Sequence, residues 1–373
     1  MRNESFATTR VTVACTLLLA LAAGGCDSRR ESGSDTVPGL QPTRRREVVA
    51  TAWDTLWSVG GAASDTLLLR PYLLAASGTG VYLYDGGSSQ VLSFTPDGKL
   101  RWTFGRKGSG PNEFRGVRDV KVSESGESYL LDPRNARIVR LDTAGRVRTR
   151  IPLTTVGHAE QLAVLDGERI VLLTMDPARA FAIVDTAGKV RERFSLPWER
   201  FAKLDQIARQ GLIVSGRGRE WIFGFSMGDG WFRFDGAAPV RAAGYVEHTE
   251  FPKIENLAGG GTKMAEYNAC SACSASASGS TLYVHFGGYS RYRESVIDLY
   301  DLDDLRYQGS YVLPFKAVAI STVDDRVYAL RDDPYPMLVA LRPQLKASTP
   351  ADRRRTERVR PASAQASASR DSR

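Results

Sequence analysis

The chain has 373 residues, 42% hydrophobic and 25% charged, which suits a folded globular protein and excludes a charge-rich disordered one. Its formal net charge of +8 sits mostly at the ends: residues 351–373 carry +4, residues 27–47 carry +1 and residues 1–26 carry +1, leaving +2 on residues 48–350. A body this near neutrality offers no case for a nucleic-acid surface.

Arg2 and Arg10 precede an apolar run over residues 11–23, broken mildly by Thr12, Cys15 and Thr16. It is too short to span a bilayer and has the length of a signal-peptide core. The run ends in Leu21-Ala22-Ala23-Gly24-Gly25-Cys26. Small residues directly before a cysteine resemble a bacterial lipobox, with Cys26 as the acylated mature N-terminus, although Ala23 stands where that pattern prefers Leu. Ordinary cleavage near Ala22 or Ala23 is the alternative. The expectation is an exported lipoprotein, held at a membrane by its N-terminal lipid and facing the periplasm or cell exterior. Residues 27–47 have almost nothing to bury and read as a flexible linker. Arg44, Arg45 and Arg46 in it could sit near anionic headgroups or simply be solvated.

Residues 48–59 alternate as a strand with no repeat of their own in front of them. A repeat then becomes visible. Tyr82-Leu83-Tyr84-Asp85, a polar turn, Val91-Leu92-Ser93-Phe94 and the turn at Asp97-Gly98 recur 47 residues later. The second copy is Tyr129-Leu130-Leu131-Asp132, a turn, Ile138-Val139-Arg140-Leu141 and Asp142-Thr143-Ala144-Gly145. Short strands repeating at this period, punctuated by Asp, Pro and Gly, predict an all-β six-bladed β-propeller with four-stranded blades over residues 48–345. Blade one takes its strands from residues 72–104, blade two from 117–150, blade three from 162–194, a degenerate blade four from 212–246 and blade five from 273–313. Residues 317–341 supply only three strands to blade six, so the strand at 48–59 is expected to close the ring three-plus-one and remove a free edge. Residues 346–373 read as a disordered basic tail.

The crossing between the first two blades is rich in glycine, Gly105 to Phe114, with Lys107 inside it. No helix comes after it, so a phosphate cradle lacks its context. The expectation is that its glycines relieve the backbone and Phe114 plugs the gap between sheets. With the Asp132-Pro133-Arg134-Asn135 continuation, Gly110-Pro111-Asn112-Glu113-Phe114 resembles the crossing of NHL-type repeats. The chain looks like the exported six-bladed propellers of bacterial lipoproteins, closely over two blades and only architecturally beyond the third.

Propellers bind or catalyse around the central channel and on the loops at one end. His158 precedes the first strand of blade three and Arg118 that of blade two, which makes both channel-facing candidates. His285 falls inside a second strand, where packing is the expected role, and His248 lies in a loop near Glu247 and Glu250. Asp85 and Asp132 head turns, where Asp caps backbone amides. Cys270-Ser271-Ala272-Cys273 enters blade five and, in an exported protein, suggests a disulfide. A regular strand points residues three apart to opposite faces, so a bridge there needs a turn or bulge. Two free thiols, with Cys273 buried, or redox or metal chemistry are the alternatives. No catalytic motif appears, and no catalytic residue is assigned. The expected function is binding or scaffolding of a protein, peptide or carbohydrate by a monomer, without a cofactor. The alternative is a lactonase-like hydrolase or lyase with Ca or Zn in the channel.

Overall fold

Residues 45–62, 66–165, 169–176, 178–196, 198, 201, 203–257, 260–265 and 270–345 are described by a computed structural model of the protein. The targeting segment with Cys26, nearly all of the linker and residues 346–373 lie outside them. Strand β1 (Val48–Gly60) comes first. Next comes a sheet of β2 (Pro71–Ser77), β3 (Gly80–Asp85), β4 (Gln90–Phe94) and β5 (Leu100–Phe104), then one of β6 (Asp119–Val122), β7 (Ser128–Asp132), β8 (Arg137–Leu141) and β9 (Val147–Pro152). Two further sheets are β10 (Ala159–Val164) to β11 (Ile170–Thr174), β12 (Phe181–Val184) and β13 (Val190–Phe194), and β14 (Gly211–Ser215) to β15 (Glu220–Phe225), β16 (Trp231–Asp235) and β17 (Ala238–Ala243). A small hairpin, β18 (Ile254–Asn256) with β19 (Thr262–Met264), interrupts the series. The last strands are β20 (Ala272–Ser278), β21 (Thr281–Phe286), β22 (Val296–Asp301), β23 (Tyr307–Val312), β24 (Ala319–Val323), β25 (Arg326–Arg331) and β26 (Met337–Leu345).

This is an all-β propeller of antiparallel four-stranded blades, with one departure from the expected regularity. β20 to β26 do not form two separate sheets. They form one eight-stranded sheet in the order β20-β21-β22-β23-β1-β26-β25-β24. The cause is β1, which pairs antiparallel with β26 from Ala50–Leu345 to Gly60–Met337, and begins by pairing parallel with β23 at Val48–Ser310 and Ala50–Tyr311. The N-terminal strand therefore completes the last set of strands, as its sequence suggests, and also fastens it to the set before.

First strands touch their neighbours in a closed cycle, β2 to β6, β10, β14, β20, β24 and back to β2. Side chains stitch parts of this ring by accepting bonds from a neighbouring strand's backbone: Asp119 from Leu162 N at 2.9 Å, Ser215 from Val164 N at 3.1 Å and Ser274 from Ile320 N at 2.9 Å. Asp119 is fully buried, and desolvation pushes its carboxyl above the usual range despite the bonds from Lys121, Leu162 and Val120.

Between sheets the packing repeats as the sequence does. Trp57 of β1 lies on Gly98, whose φ of +87° suits glycine and whose added Cβ would fall 2.6 Å from the indole. Its ring N–H donates to Pro96 O at 3.0 Å. Trp102 does the same one blade on, lying on Gly145 and donating to Thr143 O at 2.9 Å. The degenerate fourth repeat keeps four regular strands and fills its interface with aromatics instead: Trp221 stacks on Phe234 at 4.3 Å, and Phe181, Phe223, Phe225 and Phe232 surround them.

Arg46 fixes the start of β1. Its guanidinium is forked onto Asp298 of β22 at 2.9 and 3.0 Å, bonds Glu247 and lies 4.0 Å above the Phe286 ring. Burial pulls its pKa down, but the bonds to Asp298 and Glu247 outweigh that and hold it above its ordinary value. Removing one partner of a buried pair strands the other charge, at a cost of about 3–5 kcal/mol. Urea unfolding of Arg46→Ala should show a loss of that size, and Arg46→Lys should recover only part of it because ammonium cannot fork onto a carboxylate. A change within error of zero would show that β1 is held by its strand pairing alone.

Candidate functional site

In every blade the first strand starts, and the second strand ends, at the same end of the sheet. The residues just before β2, β6 and β10 are Arg70, Arg118 and His158, so one positional repeat places three cationic or titratable residues at this end of their sheets. We call this end the mouth. Arg118 and His158, both singled out from the sequence, are brought together by a residue that was not. Glu160 of β10 bonds His158 Nε2 through Oε1 at 2.6 Å and faces Arg118 Nε through Oε2 at 3.6 Å. The signal for Glu160 was its position two residues after His158, on the same face of the strand.

Around Tyr72 of β2 the mouth is basic. The Tyr72 hydroxyl donates to Val117 O at 2.8 Å, which ties β2 to the turn carrying Arg118. Arg134 lies over the neighbouring Gly116, its Cδ 3.7 Å from where a Cβ would stand. Burial, then the neighbouring Tyr84, pushes the Tyr72 hydroxyl up to about 12, while the charges of Arg118, Arg70 and Arg134 pull the other way. Arg70, Arg115 and Arg134 are exposed, and among the described residues their guanidinium groups have no hydrogen bond or ion pair. Of the nearby acids, Asp85 takes the amides of Leu69, Arg70 and Gly87 at 2.7 to 3.0 Å, while Asp132 takes Asn135 Nδ2 on Oδ2 at 2.6 Å and leaves its buried Oδ1 without a partner among the described residues. Asp85 caps backbone amides as expected of it; Asp132 makes no cap bond to the backbone of its own turn and holds the Asn135 side chain instead.

The glycine-rich crossing beside this patch is structural. Phe114 is 1% exposed, and a Cβ on Gly105 would stand 2.5 Å from its ring. Glu113 accepts Gly110 N at 2.8 Å and Arg106 Nε at 2.8 Å, so the crossing's own carboxylate takes up these two donors.

Further round the mouth, Arg209 is 4% exposed, and its Nη2 donates to Asp176 O at 3.1 Å. Its Nε and Nη1 have no partner among the described residues, and burial lowers its pKa against the pull of Asp205 and Asp176. No sequence signal marked Arg209, since its burial comes from the long crossing in front of β14. His248 contacts Asp229 Oδ2 at 2.8 Å, and His285 is fully buried with its pKa lowered by desolvation, a packing position. Among the described residues, no three His, Cys, Asp or Glu side chains converge as a metal ion would require.

Cys270 and Cys273 are joined in the structure by a disulfide, their Cα atoms 5.7 Å apart. The register of β20 against β21 slips between Ala272 and Ser274, which supplies the bulge that a bridge at this spacing needs. Cys273 is half-buried rather than buried, because the bulge gives the buried place opposite β21 to Ala272.

No protein-family profile matches the chain, and no curated protein matches it. Solved structures do. A protein of Bacteroides fragilis described as exported is 12% identical, covers 83% of this chain and 98% of its own, and superposes with a TM-score of 0.54. That likeness shows the fold alone. A member of the DUF4221 family from Bacteroides vulgatus (11% identity, 82% and 100% coverage, TM-score 0.49) and virginiamycin B lyase from Staphylococcus aureus (13%, 78% and 99%, TM-score 0.48) are more distant.

Closing so short a loop by the disulfide is worth about 2 kcal/mol in the chain-entropy account. The Cys270→Ser, Cys273→Ser double variant should lose about that much in urea unfolding. Non-reducing intact mass of the unmodified chain should fall short of the reduced mass by two hydrogens; an equal mass would mean free thiols.

Proposed function

We propose that this chain is an exported, lipid-anchored, non-catalytic propeller of NHL-like repeats that binds a ligand at its channel mouth. The closed cycle of first strands supports counting the eight-stranded sheet as two blades sharing β1, six in all. Export is supported by the signal-like segment ending at Cys26, and the similarity to an exported protein is consistent with it.

The observation that carries the binding reading is the contrast between the two ends of the blades. At the far end, turn acids and neighbouring cations pair: Asp142 with Arg146 at 3.0 Å, Asp185 with Arg191 at 2.6 Å and Asp97 with Lys99 at 3.5 Å. At the mouth, Arg70 and Arg134 from adjoining blades stand exposed and unpaired among the described residues, where their guanidinium groups are available to a ligand. A channel-metal hydrolase would instead need carboxylates or imidazoles converging on one point, and the described residues offer no such cluster.

Two measurements test this. Full-length chain in neutral detergent, screened by calorimetry against peptide and oligosaccharide panels, should give one-site binding that EDTA leaves unchanged. Plasma mass spectrometry after dialysis should find less than one metal per chain; stoichiometric Ca or Zn together with EDTA-sensitive binding would move the assignment to the hydrolase. Separately, Cys26→Ser should shift the protein from the membrane to the soluble fraction, and continued membrane retention would defeat the lipid anchor.

A further inference from the structure

The near-neutral body makes a local excess of charge informative, because no general field explains it. Arg70, Arg118 and Arg134 come from three separate turns: Arg70 lies two residues before Tyr72, Arg118 follows Val117, whose carbonyl the Tyr72 hydroxyl bonds, and Arg134 of the 3-10 turn Pro133–Asn135 lies over Gly116. Each is exposed, and Glu160, at 3.6 Å from Arg118 and already bonded to His158, is the one carboxylate engaged with any of them among the described residues. Guanidinium groups that are exposed and largely unpartnered offer an oxyanion forked, charge-assisted bonds. The scaffold beneath them is fixed before any ligand arrives. Tyr72 is bonded to Val117 O and packed edge-on against Tyr84 at 5.5 Å, while Asp85 and Asp132 are buried and bonded to backbone or turn groups instead of to the arginine side chains. Leu69, 51% exposed beside Arg70, gives the patch an apolar flank.

We propose that Arg70, Arg118 and Arg134, gathered around Tyr72, form an oxyanion-recognition site for a soluble organic ligand bearing a carboxylate or phosphate group. The assignment rests on reading the mouth as the ligand-binding face and names the chemistry that face selects. Arg115, from the same crossing, extends the positive rim.

Calorimetric titration of the full-length chain with inorganic phosphate and with citrate tests it, phosphate preference and citrate preference marking the two kinds of headgroup. Either anion should bind at one site, more weakly as salt rises. Arg118→Gln and Arg134→Gln should each weaken binding roughly tenfold or more, the loss expected for one charge-assisted bond. Lys189→Gln, an exposed cation at the far end of a blade, should change nothing. Melting curves matching the parent's exclude unfolding as the cause. Absence of binding by both anions, or binding indifferent to the three arginines, overturns the proposal. An uncharged oligosaccharide that binds and is lost in the mouth variants, while the anions stay silent, overturns the anion assignment and leaves the mouth as a binding face. Silence of every probe overturns both. Cosedimentation of the Cys26→Ser chain with phosphatidylglycerol vesicles that needs these arginines, without any response to free anions, overturns the assignment to a soluble ligand.

Discussion

Everything in this fold depends on one strand belonging to two places. A ring of blades has to join its end to its beginning without leaving an unpaired strand edge. β1 does so by lying antiparallel along β26 while its first residues lie parallel to β23. A strand in that position needs a fixed starting point, and Arg46 provides it through Asp298, Glu247 and the Phe286 ring. The bidentate fork holds the residues just before the strand, whose pairing with β26 shifts register twice further on. Trp53 then donates to Val312 O at 2.7 Å, and Trp57 reaches across to the hairpin of the first blade. Closure is thus a sequence of contacts running from the fifth set of strands over the last to the first.

The two ends of the blades differ because of the same chain path. Hairpin turns between third and fourth strands are short, and their Asp and Arg residues are close enough in sequence to satisfy one another, as Asp142 and Arg146 do. At the mouth, short hairpins between second and third strands stand beside the crossings from blade to blade, and the first strands of the first three blades are each preceded by an exposed Arg or His. Asp85 and Asp132 are spent there on turn groups. Local geometry therefore places several turn acids opposite cations at one end and leaves Arg70 and Arg134 unpaired among the described residues at the other.

Much of this is legible in the sequence, for physical reasons. The repeat at 47 residues, with Asp-Gly turns and alternating strands, is a local signal, and local signals survive in sequence; so does the equivalence of Trp57 and Trp102. His158 and Arg118 stand out because they precede first strands, but their meeting through Glu160 is a contact between blades and leaves no spacing to read. The same holds for Arg46, which looks like part of a solvated linker until Asp298, 252 residues away, comes to meet it. The fusion of the last two sets of strands is hidden because the first residues of β1 carry no mark of a second, parallel partner. Cys273 is misplaced by a regular-strand reading because a bulge shifts every later residue to the other face, and Arg209 owes its burial to a crossing with no repeat to compare it with.

The arrangement of β1 has a mechanical side. A pull applied upstream of residue 45 meets the Arg46 clamp first and then acts along the axis of β1. Its cross-strand bonds to β26 are loaded together in shear rather than peeled one at a time. The fork onto Asp298 shares that load with β22, deep in the neighbouring set of strands. Force entering from the N-terminal side would therefore load the closure in shear before it reached the first blade.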